Sequence, residues 1–144
     1  MKTRIKIDQI EPAGYNAVLG LEKFIENSSL TRTHKELIKI RASQINGCAF
    51  CINMHTKDAR KAGETEQRIY ALNAWRDTPY FTEEERAILA LTEEITLISN
   101  HVKEETYEQA AKVLDEKYLA QVILAIITIN VWNRIGISTN LIPS

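Results

Sequence analysis

Residues 116–135 read EKYLAQVILAIITINVWNRI, and whether this stretch is strand or helix decides the fold. Val122, Ile123, Ile126, Ile127 and Ile129 are β-branched, a chemistry that suits strands. The segment is nevertheless far longer than an ordinary strand, and its apolar and polar positions do not alternate. Length and spacing together make it a buried helix. A helix apolar round most of its circumference needs cover on several sides. The rest of the monomer or a second subunit can supply that cover, and the pattern leaves both open. The most apolar run, Val122 to Ile127, is bounded by Gln121 and Asn130 and falls well short of the roughly 20 apolar residues a bilayer span requires.

Working outward, the same helical period recurs. Tyr15, Val18, Leu21 and Ile25 stripe a first helix that Asn27-Ser28-Ser29 ends. Thr31 or Thr33 caps a second, which runs through Glu36, Ile40 and Ile45 to the stop pair Asn46-Gly47. A third is expected from about Cys48 to Gly63, with Lys57, Arg60 and Lys61 complementing its C-terminal dipole. A fourth covers roughly Glu66 to Trp75, and Asp77-Thr78-Pro79 breaks the chain after it. Thr82-Glu83-Glu84-Glu85 has capping-box spacing and opens a helix in which Ile88, Leu91, Ile95 and Ile98 share a face. Another spans about Glu104 to Leu114, before the segment quoted above. The expectation is an all-α protein of about seven helices, forming one domain over residues 1–144.

A formal net charge of −1 gives no electrostatic case for nucleic acid or an anionic membrane. Met1-Lys2-Thr3-Arg4-Ile5-Lys6 is basic, but no apolar stretch follows it, so no signal peptide is expected. The expected setting is soluble and cytoplasmic. In that reducing compartment, a close cysteine pair points to redox or metal chemistry rather than a structural staple.

The only two cysteines stand in Cys48-Ala49-Phe50-Cys51, with His55 four residues on and Glu36 twelve residues before. On a helix, Cys48, Cys51 and His55 occupy i, i+3 and i+7, one stripe. Thiols one turn apart can form a disulfide, and the helix N-terminus favours thiolate. Cys51 has His55 one turn away as a base, and Glu36, on the preceding helix, is the candidate to orient the imidazole. Two other readings compete: buried cysteines acting as small hydrophobes, and a zinc site formed by Glu36, Cys48, Cys51 and His55. His34 and His101 are expected on the surface, Trp75 and Trp132 in the core or an interface. Asn133-Arg134 is either a buried interface pair or, more ordinarily, a helix end.

The spacing of Glu36, Cys48, Cys51 and His55 resembles the signature of the alkylhydroperoxidase D (AhpD)-like proteins of the carboxymuconolactone decarboxylase superfamily. The likeness continues through residues 74–91, AWRDTPYFTEEERAILAL, and weakly to Asn133-Arg134; it covers residues 30–100 well and the remainder loosely. It implies a helical fold that assembles as dimers, trimers or hexamers. It also implies a peroxidase that reduces hydroperoxides with no metal or bound cofactor. In that scheme Cys51 attacks the peroxide, Cys48 resolves the sulfenic acid as a disulfide, and Glu36 and His55 relay protons. An external dithiol or disulfide-reductase partner restores the thiols. Phe50 departs from the pattern, because peroxidase members carry a histidine there. The departure leaves open a thiol–disulfide oxidoreductase or a redox-sensing oligomeric scaffold.

Overall fold

The computed structural model describes residues 1–144. It contains helices and connecting turns and no strand: α1 (Ile7–Ile10), α2 (Pro12–Glu26), α3 (Arg32–Asn46), α4 (Ala49–Lys61), α5 (Glu66–Tyr70), α6 (Glu83–Thr96), α7 (Glu104–Val113) and α8 (Glu116–Thr139). Two 3-10 segments, Leu72–Asp77 and Ile98–Asn100, join α5 to α6 and α6 to α7. The stretch that decides the fold is helix throughout and runs one turn beyond its expected end.

The local rules account for most boundaries. Pro12 opens α2, where its missing N–H costs nothing. The Thr31 side chain caps α3 by accepting from the His34 N–H at 3.1 Å. Gly47, at φ 71° and ψ 33°, ends α3 in the left-handed region that glycine adopts without a Cβ clash. Thr82 and Glu85 form the complete capping box of α6. The expected single helix over 66–75 is instead α5 followed by a 3-10 segment, with Ala74 at non-helical φ and ψ. Arg86 holds that irregular stretch by donating to the carbonyls of Trp75, Arg76 and Thr78 at 3.1, 2.9 and 3.2 Å. Its guanidinium and that of Arg76 lie over the Trp75 ring.

Helix α3 is the hub, packed against α4, α6 and α8. Its Ile38 and Ala42 join Ile88, Val122, Ile126 and Ile129 in the larger apolar core. Its Leu37 and Ile40 join Leu72, Trp75, Phe81 and Leu89 in a second one. A helix apolar on two sides separates two cores, and its third side carries the polar groups described next. Helix α8 is long and apolar enough to cross a membrane by length and composition, yet Val122, Ile126 and Ile129 are fully buried inside the protein.

Candidate active site

The α3–α4 hairpin builds the site. Asn46 and Gly47 reverse the chain, and Cys48 becomes the N-cap of α4, its Sγ accepting from the Cys51 N–H at 3.4 Å. Cys48 and Cys51 are joined as a disulfide. Both sulfurs therefore lie at the positive end of α4, where a thiolate released on reduction is stabilised.

Glu36 and His55, from α3 and α4, are both buried and face one another, with Nδ1 and Oε2 3.9 Å apart. That separation is too long for a hydrogen bond, and each of the two atoms lacks any other partner. Burial, aided by the Lys39 cation, pushes the His55 pKa down to about 4, against weaker opposing effects of Glu22 and Asp58. Burial likewise raises the Glu36 carboxyl above its ordinary value, and Lys39 and Arg32 oppose it. The imidazole is thus neutral near pH 7 while the disulfide is closed. It is a base awaiting a proton rather than a standing imidazolium. Lys39 is itself held by Glu22 at 3.0 Å, and the second Glu22 oxygen accepts from the Trp132 indole at 3.1 Å.

On its other flank the site rests on α8. A Cβ at Gly136 would stand 3.0 Å from Cys48 Sγ and 3.7 Å from Cys51 Sγ, so the sulfurs lie almost against the helix backbone and only glycine fits there without displacing them. Asn133, one turn earlier and 0 % exposed, accepts from Asn46 Nδ2 at 2.9 Å and donates to Ser43 Oγ at 3.0 Å. Asn130 also accepts from Asn46 at 2.9 Å, and its own amide donates to Thr96 Oγ1 at 3.1 Å. These amides clamp the end of α3 to α8 directly before the cysteine pair.

Of the residues singled out in the sequence, Glu36, Cys48, Cys51 and His55 all lie along the α3–α4 hairpin, the three on α4 spaced on one stripe. His101 is exposed as expected, Trp75 is in the core, and Trp132 packs edge-on against Tyr15. His34 is the correction: it is buried, its Nδ1 2.6 Å from the Tyr118 hydroxyl. That hydroxyl also accepts from the Thr31 N–H at 3.1 Å, and burial lowers the imidazole pKa. The Asn133-Arg134 pair divides, with Asn133 in the clamp and Arg134 exposed. Gly136 carried no sequence signal, because nothing local marks a glycine within a helix as a seat for sulfur.

A match to the carboxymuconolactone decarboxylase family model runs over residues 12–94, which takes in the whole α3–α4 hairpin. The chain belongs to the carboxymuconolactone decarboxylase family. Over 139 residues it is 50 % identical to the uncharacterized protein YdfG of Bacillus subtilis (strain 168), covering 96 % of this chain and 95 % of that one. A crystal structure from Agrobacterium tumefaciens superimposes with a TM-score of 0.96 at 36 % identity, covering 99 % of each chain. That protein is of unknown function, and its description connects it with AhpD and antioxidant defence. The debrominase Bmp8 shares the fold, with a TM-score of 0.85 at 20 % identity over 94 % of this chain and 74 % of that one. An AhpD-like fold within the carboxymuconolactone decarboxylase family is therefore established for this chain.

Proposed function

We propose that the protein is a thiol-dependent peroxidase that reduces hydroperoxides through a Cys48–Cys51 disulfide cycle. The observation that carries this reading is a closed Cys48–Cys51 pair at the N-terminus of α4, with a buried neutral imidazole one turn beyond Cys51 and a carboxyl 3.9 Å from it. In the cycle, His55 takes the Cys51 proton and the thiolate attacks the peroxide oxygen. The O–O bond breaks, Cys51 becomes the sulfenic acid, and the alkoxide leaves as alcohol with the proton held by His55. The Cys48 thiol then attacks Cys51 Sγ, forming the disulfide and releasing water. An external dithiol supplies two electrons and two protons, becomes a disulfide itself, and restores both thiols. Glu36 keeps His55 oriented for each proton transfer.

No metal or bound cofactor takes part in this cycle. The partners are a hydroperoxide, a dithiol or disulfide-reductase protein, and further copies of the same chain. Dependence on a reducing pool suits the cytoplasm. A second reading rests on Phe50, which stands directly before Cys51 and can carry no proton: a thiol–disulfide oxidoreductase whose substrate is another protein's cysteine pair.

The test follows reduced protein exposed to an organic hydroperoxide by intact mass and thiol titration. The expected result is rapid loss of two hydrogens per chain, reversed by dithiol and repeated over many turnovers. Cys51→Ser abolishes consumption, and Cys48→Ser halts at the sulfenic acid or a higher oxide. Consumption by Cys51→Ser at the wild-type rate would overturn the peroxidase assignment. Disulfide formation that occurs once and slowly would favour the oxidoreductase.

A further inference from the structure

The two sulfurs are nearly closed off from solvent, with Cys48 2 % and Cys51 3 % exposed. Thiol–disulfide exchange requires a thiolate to reach one sulfur in line with the S–S bond, so part of the cover has to move. One wall is α8 at Gly136, and it is fixed, because the Asn133 clamp one turn away holds that helix to α3. Beside this wall lies Leu141, whose Cδ1 would be 3.9 Å from the same Gly136 Cβ that meets both sulfurs.

Leu141 does not belong to a helix. Helix α8 ends at Thr139, Asn140 turns through φ 55°, and Leu141 N–H donates back to the Gly136 carbonyl at 2.9 Å. The chain then crosses to α4, where the Ser144 carbonyl oxygen accepts from Asn53 Nδ2 at 3.2 Å and from Lys57 Nζ at 3.0 Å. Residues 141–144 thus form a strap from the end of α8 to the helix that carries Cys51. Leu141 is half-buried, and Ile142, Pro143 and Ser144 are exposed. A segment with so few buried contacts opens at far lower cost than the helices beneath it.

We propose that this strap is the movable cover of the disulfide and that Leu141 determines which reagents reach the sulfurs. A small dithiol needs only the Leu141 side chain to swing aside, whereas a dithiol protein needs the strap released from Asn53 and Lys57. The inference deepens the assignment of Cys48 and Cys51 as a working redox pair and rests on it. Its test reads the sulfurs directly and does not depend on peroxide turnover.

The oxidised chain is reduced with dithiothreitol or with a thioredoxin-type dithiol protein, and thiol release is timed. Leu141→Ala speeds reduction by dithiothreitol about tenfold, the effect of removing most of a half-buried leucine's packing from a gate. Leu141→Met, which keeps the volume, stays within about twofold of wild type. The double variant Asn53→Ala/Lys57→Ala accelerates the dithiol protein more than dithiothreitol. Hydrogen exchange in α3 and α6 is unchanged throughout. Identical rates in all four proteins would overturn the proposal, as would faster reduction accompanied by faster exchange in α3 and α6, which would mean general loosening. Accelerated reduction in variants that, like wild type, consume no hydroperoxide would remove the peroxidase assignment and leave the cover standing.

Discussion

At the scale of single residues, His55 joins chemistry to stability. Its pKa falls from 6.5 to about 4 on folding, so between those values the unfolded chain binds a proton that the folded one refuses. Stability attributable to this group is complete above pH 6.5 and is lost as pH falls toward 4, by which point the loss is roughly 3 kcal/mol. Glu36 has the opposite sign: its raised pKa favours the folded state at acid pH and withdraws that support as the carboxyl ionises. Burial sets both, with Lys39 on α3, Asp58 on α4 and Glu22 on α2 acting on each and Arg32 on Glu36 alone. Thermal unfolding at pH 7.5 and pH 4.5 measures the balance. His55→Gln is expected to lose less stability on acidification than wild type, because glutamine does not titrate. An equal loss in both proteins would show that the imidazole is not held neutral. The same burial leaves the imidazole uncharged beside the cysteine pair near neutral pH.

At the scale of elements, the α3–α4 hairpin is fastened to α8 by side-chain amides rather than by apolar contact. Asn133→Ala removes one of the two acceptors for Asn46, in a part-buried bond, and the fully buried donor to Ser43. A buried polar group left without its partner costs more than the net value of the bond, so a loss of about 2 kcal/mol is expected in urea unfolding. A loss below about 0.5 kcal/mol, the level of an ordinary surface change, would mean Asn130 alone suffices as the acceptor for Asn46. The hairpin itself was legible in the sequence, because Asn46-Gly47 and the Cys48 cap act within a few residues of themselves, as does the Thr82 capping box that opens α6. The partners that fasten it were not. Ser43 meets Asn133 across 90 positions and His34 meets Tyr118 across 84; separations of that kind leave no local periodicity to read. The same limit hid the burial of His34, whose short-range surroundings, Thr33 and Lys35, are those of a surface turn. It also hid the break after α5, which depends on Arg86 reaching back to three carbonyls. Cys48, Cys51 and His55 could be grouped from spacing because they share one helix, whereas placing Glu36 beside His55 depended on the hairpin closing.

At the scale of the whole molecule, α8 explains why its sequence is apolar nearly all round. Its inner sides meet α2, α3, α4, α6 and α7. On its outer side it borders a groove of about 560 Å³ lined by Leu91, Ile95, Ile98, Tyr107, Ile123 and Ile127 among others. Within it Ile98 is 56 % and Ile127 42 % exposed, and Leu124 and Ile137 continue the exposed apolar stripe along the same helix. A second copy of the chain presents the same stripe at the same length, so a two-fold pairing of α8 with its counterpart would cover both at once. Each large side chain withdrawn from water contributes about 2 kcal/mol, and a glutamate at the centre would have to be buried without a partner. Light scattering coupled to size exclusion is expected to give wild-type protein a mass of at least twice the 16.4 kDa chain. Ile127→Glu should shift that mass toward a single chain while leaving the helical circular dichroism unchanged. A wild-type chain already at 16.4 kDa would remove the pairing, and an Ile127→Glu chain that keeps the larger mass would place the contact on another face.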